Sequence, residues 1–148
     1  MLIAIDEGPF CSKIAMMGFQ IGRQMKSEIG LLSVVDNTFN VSEGFVSARN
    51  LTNVVEKEFR NVHRMLIEEI FKDDTVKTFI EEGKPLEKIL SVADHWNADV
   101  IVIGTRSRYG STASVMGSVA SDLLRYSTRP CFVIPPGYWD HQFFESND

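Results

Sequence analysis

Cysteine is scarce. Cys11 and Cys131 are the only two in 148 residues, and they lack the CxxC spacing of a metal or redox motif. Both read as reduced core thiols, and a cytosolic (cytoplasmic) setting follows. No apolar run approaches the roughly 20 residues that would span a bilayer, so no membrane segment is expected. The opening MLIAIDEGPF has no basic stretch and reaches Asp6 after a few apolar residues, so it does not read as a signal peptide. Excess positive charge is missing too. Fifteen Lys and Arg stand against 20 Asp and Glu, a formal net charge of −5, and a nucleic acid's phosphate backbone would be repelled overall. A single nucleotide is not excluded by this, since it needs only a local positive pocket.

Recognisable catalytic signatures are absent as well. There is no GxxxxGK[ST] loop and no GxSxG elbow. His63, His95 and His141 are scattered without metal-ligand spacing and read as structural or solvent-exposed, His63 within a polar helix face. Glu68-Glu69 and Glu81-Glu82 read as solvated faces. Met16, Met17, Met25, Met65 and Met116 read as core filler. No catalytic residue and no metal ligand is assigned.

What is present is an alternation of apolar runs and helical periodicity. At 44% hydrophobic residues the chain can build one core. Leu2 to Ile5 is a short apolar run ended by Asp6-Glu7-Gly8-Pro9, a strand meeting a turn. Ile14, Met17, Ile21 and Met25 fall at helical spacing between about Phe10 and Ile29, with Gly30 closing the helix. Leu31 to Val35 is a second strand, and 37–44 is polar and turn-like. A long helical stretch follows from about Phe45 to Phe71, with Leu51, Val54, Val55, Phe59, Val62, Leu66 and Ile70 in an i, i+3/i+4 pattern. Thr75 to Ile80 reads as a strand, Pro85 opens a helix, and Asp99–Gly104 and Pro130–Pro135 are the last strands. The sum is an α/β fold: a doubly wound, five-stranded parallel sheet of Rossmann-like type in one domain, residues 1–136. Residues 137–148 form an acidic, aromatic tail outside that pattern.

The stretch from Ala98 to Pro135 carries the functional signal. An apolar strand runs into a glycine-bearing loop, then a helix start at Gly117-Ser118, then another strand. The first N–H groups of a helix have no intrahelical partners, and the helix dipole adds partial positive charge there, so this order forms a cradle for phosphate. Ligands in doubly wound sheets sit at the carboxyl ends of strands where the strand order reverses. The ends in question are Asp6, Val34-Val35 and Gly104.

These residues resemble the universal stress protein family. Its ATP-binding members carry G-x2-G-x9-G-[ST] after the fourth strand. Here Gly104 is followed by Thr105, Arg106 and Ser107, then nine residues, then Gly117-Ser118. The spacing is kept and Ser107 replaces the second glycine. The first strand ending in Asp6, LLSVVD, and Glu82-Gly83-Lys84-Pro85 agree with the family, and the likeness runs from Leu2 to Pro135.

The resemblance implies a set of roles. Asp6 matches the aspartate beside adenine and ribose, and Ala4 the position just below it. Val34 matches the residue whose backbone bonds the adenine edge. Gly104 and Ser107 match the loop positions that approach ribose and phosphates, and Gly117, Ser118 and Val119 the helix start that holds the phosphates. Arg108 reads either as a phosphate contact or, like Arg106, as a solvated surface arginine. Asp6 reads either as a site residue or as a helix cap, and Ser118 serves as cap and ligand alike.

The function so implied is a small stress-response protein that binds ATP or AMP as a regulatory ligand, with Mg²⁺ accompanying a triphosphate and at most slow ATP hydrolysis. The alternative is a dimeric interaction protein of the same family in which Ser107 marks a decayed pocket and the aromatic tail carries function. Family members usually dimerise, which implies a homodimer pairing Cys131 to Ile134 antiparallel across a two-fold axis.

Overall fold

β1 (Leu2–Ala4) lies at the middle of a five-stranded parallel sheet, with β2 (Gly30–Val35) on one side and β4 (Ile101–Gly104) on the other. β3 (Lys77–Glu82) and β5 (Cys131–Ile134) form the two edges, so the strand order is β3-β2-β1-β4-β5. The structure, a computed structural model, describes residues 1–37, 48–105 and 116–135. Leu2, Ile3 and Ala4 pair in register with Gly30, Leu31 and Leu32, and also with Ile101, Val102 and Ile103. The order reverses between β1 and β4. That is the switch point the alternating pattern implied.

Strands buried on both faces need cover on both, and the four α-helices of the described residues divide accordingly. α1 (Cys11–Gln24) and α2 (Ala48–Met65) cover one face, where Ile3, Leu31 and Val102 meet Ile14, Met17, Leu66 and Phe71. α3 (Pro85–His95) and α4 (Ser118–Tyr126) cover the other, packing Ile89, Ala93 and Leu123 on Leu2, Leu32, Ile101 and Ile103. Each fully buried leucine or isoleucine contributes about 1.5–3 kcal/mol over leaving it exposed, before entropy is counted. Close approach of α1 depends on Gly18, where an added Cβ would stand 2.8 Å from Ile3 Cδ1.

Several boundaries differ from the sequence expectation. α1 stops at Gln24, not near Ile29. Lys26 takes a left-handed φ of 52°, its N–H bonds Arg23 O, and Ser27 N–H bonds Gly22 O, which is the Schellman termination. Gly30 therefore does not close the helix. It opens β2, packed beneath Trp96 and Phe79, whose ring atoms would lie 2.8 and 2.9 Å from an added Cβ. β3 begins two residues later than expected because Thr75 folds onto Asp73, its N–H and hydroxyl donating to Oδ1 at 3.0 and 2.6 Å. The long second helix is α-helical only to Met65, then widens into a π-helix over Leu66–Phe71. Its first expected residues, 45–47, lie outside the described residues.

Burial corrects other assignments. Phe59 and Leu66 are buried as the periodicity implied, but Leu51, Val54 and Ile70 are exposed, and so is Met25. Cys11 and Cys131 are free and only half-buried, because both sit toward the ends of elements and not in the core. His63 does not lie on a polar face: it is 2% exposed. β2 supplies the reason, since its one polar residue, Ser33, is buried on the same face of the sheet.

Candidate functional site

β1 ends before its neighbours, and this opens the switch point. Ala4 is the last paired residue of β1, buried between Leu32 and Ile103. Ile5 N–H still reaches Leu32 O at 2.9 Å, after which the chain leaves the sheet. Main-chain groups alternate sides along a strand. Gly30 N–H bonds Met1 O and Leu32 O takes the Ile5 N–H, so the backbone of Val34, two residues on, faces the β1 side beyond the end of β1. Val34 itself is half-buried and pairs with Glu81 on its other side.

Asp6 stands at the mouth of this opening. Its Oδ1 accepts the Gly8 N–H at 2.8 Å, which braces the turn into α1. It is not the helix cap, since Phe10 occupies that position without a side-chain bond. The cap reading of Asp6 thus gives way to a turn brace that holds the carboxylate at the strand end.

On the far side, Gly104 ends β4 in register with Ile134. Thr105 follows, its N–H on Ile134 O at 3.1 Å, and its own carbonyl accepts the N–H of Gly117. This bond ties the start of α4 to the end of β4. Gly117 has φ −66° and ψ 161°, ordinary extended backbone. The first intrahelical bond is Ser121 N–H to Gly117 O, 3.0 Å, so the N–H groups of Ser118, Val119 and Ala120 have no partner within the helix. Gly117's N–H, by contrast, is already engaged. Ser107, Arg108 and Arg106 lie outside the described residues.

Sequence reading overlooked Thr105. Its side chain is 7% exposed and Oγ1 has no hydrogen-bond partner among the described residues. A threonine between an expected strand-ending glycine and an arginine carries no signal of its own; only the fold shows it at the base of the opening. The structure brings Ala4, Asp6, Val34, Gly104, Gly117, Ser118 and Val119 to the carboxyl end of the sheet, on three strand ends and one helix start.

Residues 1–135 match the model of the universal stress protein family. The chain belongs to that family. A universal stress protein of Methanocaldococcus jannaschii is 28% identical over 105 residues, 70% of this chain and 63% of that protein. Universal stress protein E of Salmonella typhi is 33% identical over 66 residues, 45% of this chain and only 21% of its own length. Among solved structures, the universal stress protein UspA of Lactobacillus plantarum superposes with a TM-score of 0.77 at 17% identity, over 90% of this chain and 95% of that one. A universal stress protein of Archaeoglobus fulgidus solved in complex with dAMP has a TM-score of 0.59 at 18% identity, over 90% and 94%. A universal stress protein solved in complex with cAMP has a TM-score of 0.60 at 12% identity, over 91% of this chain and 96% of that one. At these identities the structural likeness is one of fold.

No helix is long and apolar enough to cross a membrane among the described residues.

Proposed function

We propose that this universal stress protein binds an adenine nucleotide, ATP or AMP, as a regulatory ligand at the switch point between β1 and β4. The observation that carries the reading is the bond from Gly117 N–H to Thr105 O. It sets three helix-start N–H groups that have no partner within the helix near the strand ends that hold Asp6 and Val34. Such a helix start suits a phosphate, and the backbone of Val34 beyond the end of β1 suits the edge of a base. Relatives of the same fold carry dAMP and cAMP, which supports the ligand class. Ser107 and Arg108 would complete the phosphate contacts from the loop. Mg²⁺ would accompany a triphosphate and keep most of its waters. The nucleotide would act by altering the 104–117 loop and so the choice of partner, in a cytoplasmic setting, with hydrolysis slow and incidental.

Isothermal titration with ATP and AMP, with and without Mg²⁺, tests this beside Gly117→Arg. The backbone angles at Gly117, φ −66° and ψ 161°, are open to any residue, so the arginine side chain is introduced at the helix start without backbone strain. Binding lost in the variant is the expected result; no binding of either nucleotide to the parent refutes the proposal.

A second reading has its own observation. β5 is an edge strand, and Phe132 on it is 40% exposed, with Leu124 and Tyr126 of α4 also exposed. An edge strand that no described strand pairs on its outer side, with apolar side chains, favours pairing with a second copy, here antiparallel through Cys131–Ile134, as the dimeric interaction protein would need. Ultracentrifugation showing only a 16.7 kDa species at micromolar concentration would remove it.

A further inference from the structure

Parallel strands are joined by evenly spaced main-chain bonds. Along the seam between β1 and β2 these include Gly30 N–H to Met1 O at 3.0 Å and, higher up, Ile5 N–H to Leu32 O at 2.9 Å. The next bond in the series would join Val34 N–H to Ile5 O. Among the described residues no main-chain bond joins that pair. A side chain takes the Ile5 carbonyl instead, as Ser33 Oγ donates to it at 3.0 Å.

The fold commits Ser33 to this bond. It is 1% exposed and meets His63 of α2, whose Nε2 lies 2.9 Å from Ser33 Oγ. The hydroxyl has one proton and a carbonyl only accepts, so that proton goes to Ile5. His63 must then donate to Ser33 Oγ, and the ring, kept neutral at pH 7 by burial, is the Nε2–H tautomer. Turning the hydroxyl away would leave buried polar groups unpaired, which is unfavourable.

The consequence lies one residue along. Side chains alternate across a strand, so Ser33 holds the Ile5–Asp6 peptide from the α2 face of the sheet. Gly8 N–H holds the carboxylate of the same Asp6 from the turn. The main-chain N–H and C=O of Val34, which face the β1 side, are left beyond the last bond of the seam. Side by side they present a donor and an acceptor, the complement of the N1 acceptor and N6 amino donor on the edge of adenine.

We propose that Ser33 sets base selectivity at the switch point without touching the ligand: by taking the Ile5 carbonyl it keeps Val34 N–H for the edge of the base. Ser33 is thus a positioning residue, and His63 holds its hydroxyl in place. This rests on the nucleotide reading and deepens it.

The test is NMR of ¹³C,¹⁵N-labelled protein titrated with AMP and with inosine monophosphate. The second nucleotide has the same sugar and phosphate, but its N1–H and 6-oxo group reverse donor and acceptor. In the parent, no coupling through a hydrogen bond should join Val34 N to the Ile5 carbonyl carbon, and AMP should shift the Val34 amide proton. In Ser33→Ala that coupling should appear. AMP should then bind about tenfold more weakly, as for one lost hydrogen bond, and inosine monophosphate about as before. The coupling in the parent, or a Val34 amide unmoved at saturating AMP, overturns the proposal without any variant. Its absence from folded Ser33→Ala does so too, as does equal AMP binding by parent and variant. An equal loss for both nucleotides, which a structural role alone would give, also overturns it. These outcomes leave nucleotide binding itself standing, whereas a parent that binds neither nucleotide refutes that reading and this proposal together.

Discussion

His63 makes the stability of this protein depend on pH in a direction the structure sets. The ring is 2% exposed, and burial lowers its pKa from 6.5 to about 4. The unfolded chain takes up a proton as the pH falls through 6.5, while the folded protein resists until about 4. Protonation therefore favours the unfolded state throughout that window. The full loss is about 3 kcal/mol at and below the folded-state pKa, and about 2 kcal/mol is already gone by roughly pH 5. Against a total of about 5–15 kcal/mol for a domain, that is a large fraction.

The perturbation that isolates it is His63→Gln, whose amide N–H can still donate to Ser33 but takes up no proton. Urea denaturation of both proteins between about pH 7.5 and 5 reads the difference. Stability of the parent should fall by about 2 kcal/mol more than that of the variant over this range. The buried N-terminal amine, lowered by desolvation, and the charged Arg60, Arg64 and Glu68 around His63 are common to both proteins and cancel. Parallel pH profiles would refute the reasoning, because they would mean that His63 takes up its proton in the folded state without penalty.

Three further substitutions test the packing. Lys26→Gly should stabilise the fold by about 1 kcal/mol in thermal or urea unfolding, since Lys26 holds φ 52° at the end of α1 and glycine takes that region without strain. Gly18→Ala should destabilise by about 1–3 kcal/mol despite alanine's helix propensity, because the new Cβ would lie 2.8–3.1 Å from three atoms of the fully buried Ile3. Arg129→Ala should cost about 1.5–3 kcal/mol, since its guanidinium donates to Ala98 O at 2.6 Å and Asp94 at 2.8 Å, tying the start of β5 to the end of α3. No change on removing Arg129 would mean that the edge strand is held by its ladder alone.

The fold was legible because its signals are local and redundant. Short apolar runs such as LIA and IVIG, bounded by turn residues, read as strands covered on both faces, and the crossover rule leaves few ways to join them. The switch point and the helix start that frame the candidate site were legible for a related reason. A switch point follows from strand order, and Gly117-Ser118 marks a helix start by residue type. What stayed hidden depends on contacts between residues far apart in sequence. Lys26 replaces the glycine that normally announces a helix end, so the first such signal along the chain is Gly30, beyond the true end of α1. The π-turn at Leu66–Phe71 keeps an apolar spacing that a continuous α-helix also fits. Ser33 looks like a tolerated polar residue inside an apolar strand, and His63, 30 residues later, looks like one more polar side chain on an amphipathic helix. Only folding puts them 2.9 Å apart, and only the Ile5 carbonyl decides which of them carries the bridging proton. Ile5 also directly precedes Asp6, so the hydrogen bond that sets the tautomer of His63 ends one residue from the carboxylate at the switch point. The hydrogen bonds of His63 therefore reach, through Ser33 of β2, the backbone just past the end of β1, a connection that no spacing along the chain announces.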